Sequence, residues 1–177
     1  SNDMDELRVD SASKNIKNLF KSTVLISTEL IHQNKRKFCS GTLIEPEEGD
    51  DPDEFRILTN FHCFAQTTED GEVNREFLPE ACDNTKVYFG FAKADADSVE
   101  HSDCESGTLI GDFTGDLGVF KLSKPPPKQY KALKLWTEPS VPAGRKALII
   151  HHPDIRDRFT SIGDTSETLP AASITEN

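Results

Sequence analysis

Residues 57–63, ILTNFHC, place a histidine and a cysteine directly after a β-prone run. That run is one of seven short segments that are rich in β-branched and aromatic residues and are bounded by Gly, Pro, Asp or Lys clusters, a pattern typical of strands. The seven are STVLIST (22–28), FCSGTLI (38–44), FRILTNF (55–61), KVYFGF (86–91), GTLIGDF (107–113), LGVFKLS (117–123) and KALIIHH (146–152). They predict an all-β fold, either a barrel or a sandwich. The one segment with a helical period, 11–21, predicts one or two amphipathic turns.

Composition and charge argue against two classes of partner. With 177 residues, 35% of them hydrophobic, the chain can bury one ordinary core or two small ones. No apolar run approaches the roughly 18 to 20 residues that cross a bilayer, so no membrane partner is expected. The net charge of −11 comes with no basic stripe, which argues against a nucleic-acid partner. An acidic chain accommodates cationic partners more easily.

Two connections between the predicted strands are distinctive. Residues 45–54, EPEEGDDPDE, are mostly acidic and predict a solvated loop, for which a calcium site is the alternative. Residues 124–136, KPPPKQYKALKLW, contain three successive prolines that cannot donate to a ladder, so this segment predicts a crossover between two halves of the chain.

The cysteines indicate a cellular compartment. There are four of them, and no CxxC pair is present, which disfavours a zinc site and thioredoxin-like chemistry. Disulfides are therefore the favoured interpretation and predict a secreted protein or another oxidising compartment, with buried reduced cysteines as the alternative. The sequence predicts no cofactor. It also predicts no metal site, because the adjacent His151 and His152 point to opposite faces of a strand, and His32 and His101 are expected to be solvated.

The opening stretch and its neighbours have counterparts in a known family. This part of the sequence resembles the first barrel of the chymotrypsin-like (trypsin-like) serine proteases. It contains FCSGTLI, an acidic loop and ILTNFHC in that order. That barrel carries a Cys-x-Gly-x-Leu-Ile strand and then a strand ending in Thr-Ala-Ala-His-Cys. The matching residues here are Cys39, Gly41, Leu43, Ile44, Leu58, Thr59, His62 and Cys63. The Thr-Asn-x-His form is similar to the bacterial glutamyl endopeptidase and high-temperature-requirement branches.

Further motifs follow in the family's order. Residues 114–125, TGDLGVFKLSKP, are similar to the family's Asn-Asp-Ile-x-Leu-Leu-Lys-Leu segment and align Asp116 with its aspartate, 54 residues after His62. GRKALIIHHP, residues 144–153, resembles the first strand of the second barrel. The resemblance implies a chymotrypsin-like double β-barrel, with the first barrel complete and the second partial. The implied domains are an N-terminal segment (1–21), a first barrel bearing His62 and Asp116 (22–124), and a crossover with a partial second barrel (125–177).

The resemblance also implies roles for particular residues. His62 becomes the general base, and Asp116 becomes the carboxylate that fixes its tautomer and stabilises the imidazolium. Without the resemblance, these two are a histidine packed at a strand end and a turn aspartate. The family also places a disulfide beside the histidine, which implies that Cys39 and Cys63 are bonded. Cys82 and Cys104 are then left as a second bridge, for which the family has no fixed counterpart.

The nucleophile of the family is missing from this chain. Its serine normally lies in Gly-Asp-Ser-Gly-Gly or Gly-Asn-Ser-Gly-Gly, because the glycines let backbone N–H groups converge on the oxyanion. No such motif is present, and Ser166 in IGDTSE lacks the following glycine. Family members need roughly 90 residues between the aspartate and the serine. Only 61 residues follow Asp116.

Three hypotheses follow from this combination. The first is a trypsin-like serine endopeptidase acting on protein or peptide substrates, in which this chain supplies His62 and Asp116. A complementing C-terminal chain would then carry the serine, or truncation would have removed it. The second is a catalytically inactive protease homologue that acts as a binding module. The third is an unrelated all-β binding protein with accidental motifs.

Overall fold

The computed structural model describes residues 5–8, 20–46, 49, 51, 54–66, 74–90, 100–135, 140–141, 146–152, 159–164 and 169–170. Twelve strands lie within these ranges. They are β1 (Asp5–Arg8), β2 (Thr23–Leu30), β3 (Lys35–Ile44), β4 (Arg56–Thr59), β5 (Thr85–Phe89), β6 (His101–Asp103), β7 (Ile110–Asp112), β8 (Leu117–Lys121), β9 (Ser140–Val141), β10 (Lys146–His151), β11 (Phe159–Asp164) and β12 (Leu169–Pro170). The one described α-helix is α1 (Leu78–Asp83), and 3-10 turns cover Phe20–Ser22, Ile31–Gln33, Phe61–Cys63 and Arg75–Phe77. The all-β prediction is confirmed.

Seven strands form an antiparallel sheet in the order β6-β5-β2-β3-β4-β8-β7. The sheet curls so far that residues next to β6 meet residues at the end of β8. A bridge joins Cys104 to Leu122, and the Glu105 N–H donates to the Lys121 carbonyl at 2.8 Å. The sheet therefore curls into the first barrel that the sequence resemblance implied.

The inner face of this barrel is filled by alternate apolar residues of its strands. Fully or almost fully buried side chains include Val24, Ile26, Leu43, Ile57, Phe61, Phe64, Val87, Phe89 and Phe120. Phe64 and Phe120 meet edge to face, with ring centroids 5.6 Å apart. Gly41 is required in this core, since a Cβ there would lie 2.7 Å from Ile26 Cδ1 and 2.8 Å from Ile57 Cγ2. The close packing explains the glycine in the FCSGTLI motif.

The remaining strands form two smaller sheets, so the second barrel is partial. β10 and β1 flank β11 in an antiparallel three-stranded sheet, and β9 pairs with β12. The strand β1 pairs Asp5–Arg8 of the N-terminal segment with β11 in the C-terminal part of the chain. His152, which follows β10, is buried, and its N–H donates to the Ser40 hydroxyl oxygen in β3 at 2.7 Å.

The distinctive connections can be followed in part. Most of the predicted helix (11–19) lies outside the described residues, and a 3-10 turn stands at its end. The proline-rich crossover runs beside the barrel, where the Leu133 N–H donates to the Leu43 carbonyl at 2.9 Å. In the acidic loop, Glu54 binds Arg56 and Lys121 at 2.6 Å each, while residues 47–48, 50 and 52–53 lie outside the described residues. No helix in the described part of the chain has the length and apolarity needed to cross a membrane.

Candidate active site

His62 lies in the 3-10 turn that follows β4. The turn alternates in burial, because Phe61 and Cys63 enter the core while the His62 side chain is 55% exposed. The Phe61 N–H donates to the Asp116 carbonyl at 3.2 Å, which joins the turn to the start of β8. The core residues on either side of His62 therefore hold its imidazole at the barrel surface.

Asp116 reaches this turn from the β7–β8 hairpin. Its φ is +47°, in the left-handed region that aspartate tolerates better than most residues. The preceding turn is closed by the Gly115 N–H, which donates to Asp112 Oδ1 at 3.1 Å. From this position the carboxylate reaches the turn that follows β4.

The two predicted residues form a direct hydrogen bond. His62 Nδ1 lies 2.7 Å from Asp116 Oδ2, within the distance that the triad interpretation requires. The His62 N–H donates to the other carboxylate oxygen, Oδ1, at 2.8 Å. Asn60 Nδ2 also donates to Oδ2 at 3.1 Å. With Nδ1 protonated and donating to the carboxylate, Nε2 is left as a proton acceptor.

The surroundings keep Asp116 ionised. Partial burial raises the pKa of its carboxyl group, but hydrogen bonds from the His62 N–H and imidazole and from Asn60 outweigh that effect, so the pKa is below its ordinary value. An ionised carboxylate at this position favours the Nδ1–H tautomer and can stabilise an imidazolium. The Asp116 side chain is nevertheless 36% exposed. In the family's working site this carboxylate is buried.

Both predicted disulfides are present. Cys39 is bonded to Cys63 with the Cα atoms 6.3 Å apart, and Cys82 is bonded to Cys104 with the Cα atoms 5.3 Å apart. The first bridge lies beside the imidazole, and the second ties α1 to the end of β6. The Cys39 and Cys63 sulfurs lie near a His62 nitrogen, but sulfurs in a disulfide are not the thiolates that a metal needs. Two disulfides indicate an oxidising compartment.

No hydrogen bond in the described part of the chain joins His62 to a serine. The Ser40 hydroxyl oxygen is on the neighbouring strand and accepts the His152 N–H. Ser106 is exposed in a turn between β6 and β7, and Ser166 lies outside the described residues. The chemistry available in this half of the site is therefore proton transfer by an oriented imidazole.

His32 and His101 are exposed, as the sequence predicted, and each also contacts another segment of the chain. His32 Nε2 lies 2.8 Å from Glu80 Oε2, and its ring stacks on Phe77 with the centroids 4.0 Å apart. His101 lies in β6 and pairs across the strands with Tyr88. Contacts between segments distant in sequence produce both arrangements, so no local pattern indicates them.

The comparisons with known proteins agree with this geometry. The family model for the lysyl endopeptidase C-terminal domain matches residues 7–176. The chain belongs to the chymotrypsin-like serine protease family. No curated protein sequence matches this protease-family chain.

Solved structures with the same fold as this chain include the Rv3671c protease and GrC. The active form of the Rv3671c protease from M. tuberculosis is 20% identical, with a TM-score of 0.54 over 83% of this chain and 48% of that chain. The structure of GrC is 14% identical, with a TM-score of 0.54 over 82% of this chain and 60% of that chain. The matches therefore span about half of the first related structure and 60% of the second.

Two residues to which the sequence assigned no role also take part in the site. Asn60 donates to Asp116, and Lys37 Nζ donates to the His62 carbonyl at 2.6 Å. Asn60 stands in the Thr-Asn-x-His motif, which is the one signal that could have identified it. Lys37 has no such signal, since it lies 25 residues before His62 in the sequence.

Proposed function

We propose that this chain supplies the general base His62 and the orienting carboxylate Asp116 of a serine endopeptidase. Its nucleophilic serine would lie on polypeptide outside these 177 residues, and its substrates would be proteins or peptides. The observation that carries the proposal is the hydrogen bond of 2.7 Å between His62 Nδ1 and Asp116 Oδ2. It joins two residues that family motifs selected independently, 54 positions apart in the chain.

In the proposed reaction, His62 Nε2 accepts the proton of the serine hydroxyl as the oxygen attacks the scissile carbonyl. Asp116 stabilises the resulting imidazolium through Nδ1. The imidazolium then donates the proton from Nε2 to the leaving amine, and a water molecule repeats the sequence to release the acyl group. The serine and the backbone N–H groups of the oxyanion hole would come from the complementing polypeptide.

The exposure of the site supports a complementing polypeptide. Ile110, Phe113 and Leu117 are 67%, 43% and 49% exposed, and they lie in the same β7–β8 hairpin as the partly exposed Asp116. Adjacent exposed apolar side chains of this kind mark interaction surfaces. Covering them would also bury the carboxylate, as a working triad requires.

The environment of the enzyme follows from its covalent structure. The two disulfides favour secretion or another oxidising compartment. The matching family model is named for lysyl endopeptidases, and the net charge of −11 suits basic substrates. Peptides containing lysyl bonds are therefore the first substrates to test.

A second candidate function is a protease homologue without catalysis that binds basic ligands. It is favoured by the lack of a glycine-flanked serine anywhere after Asp116 in the sequence. Both candidates keep the barrel and the His62–Asp116 pair. They differ in whether a nucleophile is ever assembled against Nε2.

The test is labelling with a fluorophosphonate probe, which reacts with activated serines, on the protein isolated from its natural source together with any polypeptide that accompanies it. We expect a label on a serine outside these residues. His62→Ala should abolish the label, while His101→Ala, which changes a histidine on the far edge of the sheet, should retain it. The isolated 177-residue chain should hydrolyse no casein, because loss of the serine costs about a millionfold in turnover.

Two outcomes would reject the proposal. Labelling that survives His62→Ala would show that another group activates the serine. A naturally isolated protein that takes no label and cleaves no lysyl peptide would favour the binding module.

A further inference from the structure

The main-chain groups of His62 are held on two sides. Its N–H donates to Asp116 Oδ1 at 2.8 Å. Its carbonyl oxygen accepts a hydrogen bond of 2.6 Å from the ammonium group of Lys37 on β3. A carboxylate thus binds one peptide group of the residue and a cation binds the other, and such charge-assisted bonds are the stronger kind.

Lys37 lies where the ladder between β3 and β4 has ended. Strand pairing between β3 and β4 runs only from Thr42 to Ile44 on the β3 side, so earlier residues of β3 need other links to the chain that leaves β4. Three such links occur in order along β3. The Thr59 hydroxyl donates to the Ser40 carbonyl at 2.8 Å, Cys39 is bonded to Cys63, and Lys37 binds the carbonyl of His62.

Nearby backbone donors are committed elsewhere. The N–H groups of Phe64 and Ala65 both donate to the Phe61 carbonyl, at 3.0 and 3.2 Å. They cannot serve the His62 carbonyl at the same time, and the lysine takes that place. Burial and the neighbouring charge of Lys35 hold the pKa of Lys37 below its ordinary value, and attraction to the Asp116 carboxylate opposes this shift only in part.

We propose that Lys37 is a positioning residue for His62. Its ammonium group fixes the carbonyl side of the 3-10 turn, so the imidazole stays aligned with Asp116 on one side and with the incoming serine hydroxyl on the other. The structural part rests on the hydrogen bonds of this chain. The catalytic consequence rests on the proposed function, in which a misplacement of about 1 Å can cost about 100-fold in rate.

The first test is amide hydrogen exchange at His62 in the 177-residue chain. Lys37→Met removes the ammonium group and keeps an apolar stem of similar length, and we expect His62 exchange to accelerate about tenfold. Lys37→Arg should restore slow exchange. Lys35→Met is the matched control, since Lys35 is an exposed lysine on the same strand and makes no hydrogen bond to His62. Unchanged exchange in Lys37→Met, or equal acceleration in Lys35→Met, would overturn the proposal.

The second test is peptide hydrolysis by the naturally assembled protein. Lys37→Met should lower kcat about 10- to 100-fold and change KM by less than about twofold, because the lysine acts on the base rather than on substrate binding. Lys37→Arg should recover most of kcat, and Lys35→Met should match the wild type. If the wild type hydrolyses peptides and Lys37→Met keeps full kcat, positioning is refuted. If the wild type is inactive while exchange still depends on Lys37, the proposed function fails and the positioning contact stands.

Discussion

Two acidic residues hold opposite ends of the same pair of strands. The ladder between β4 and β8 runs from Arg56 opposite Lys121 to Thr59 opposite Gly118. At one end, Glu54 neutralises the two facing cations, Arg56 and Lys121. At the other end, Asp116 binds His62 and Asn60.

The two carboxylates share electrostatics and differ in chemistry. Hydrogen bonds from Lys121 and Arg56 lower the pKa of Glu54, as those from His62 and Asn60 help to lower the pKa of Asp116. The partners of Glu54 are permanent cations near neutral pH, so that end can only hold strands together. An imidazole can gain and lose a proton near neutral pH, so a similar arrangement becomes a candidate base.

The largest expected difference between the two ends is in activity. Under the proposed function, Asp116→Asn in the naturally isolated protein should lower kcat about 10⁴-fold, because the amide favours the wrong tautomer of His62. Glu54→Gln is the matched change at the other end and should leave kcat within about twofold. Steady-state hydrolysis of a lysyl peptide measures both. Similar losses in the two variants would remove the functional distinction between the ends.

The effects of the two disulfides on the free energy of unfolding can be compared in the same way. Two double variants each remove one bridge. Cys39→Ala with Cys63→Ala opens a loop with a sequence separation of 24, and Cys82→Ala with Cys104→Ala opens one with a separation of 22. Each double variant should lose about 2–4 kcal/mol of unfolding free energy in urea titrations. The first should also accelerate amide exchange at His62, whereas the second should leave it unchanged. Equal effects of the two bridges on His62 would contradict a local role for Cys39–Cys63.

Acid should weaken both ends. Because the folded-state pKa values of Glu54 and Asp116 are below their unfolded values, their contributions to stability are present at neutral pH. They are lost as the pH falls below about 4 and through the folded-state pKa values. The urea midpoint should therefore fall less between pH 7 and pH 3 in Glu54→Gln than in the wild type. An identical fall would show that Glu54 has no net linkage to folding.

The sequence was most informative where motifs and packing coincide. FCSGTLI and ILTNFHC identified β3, β4, the His62 turn and the Cys39–Cys63 bridge, because a buried glycine and a fixed disulfide restrict which residues are tolerated there. Asp116 was found through its motif in the next hairpin. The second bridge could be predicted because Cys82 and Cys104 were the two cysteines that remained.

Other features had no usable pattern. The strand β1 reads DELR and β6 reads HSD, neither of which has enough apolar alternation to predict a strand. The helix α1 has only six residues, which is too few to show a helical period in the sequence. Its first turn contains Pro79. Lys37 contacts His62 through tertiary geometry alone.

The central claim is that this chain presents an imidazole oriented by Asp116 with Nε2 ready to accept a proton. The most direct measurement is ¹⁵N NMR of the His62 ring in the 177-residue chain, at a pH where the ring is neutral. The account predicts a proton on Nδ1 and none on Nε2, with the tautomer population shifted towards Nε2–H in Asp116→Asn. A neutral His62 that carries its proton on Nε2 in the wild type, or a population unaffected by Asp116→Asn, would contradict it.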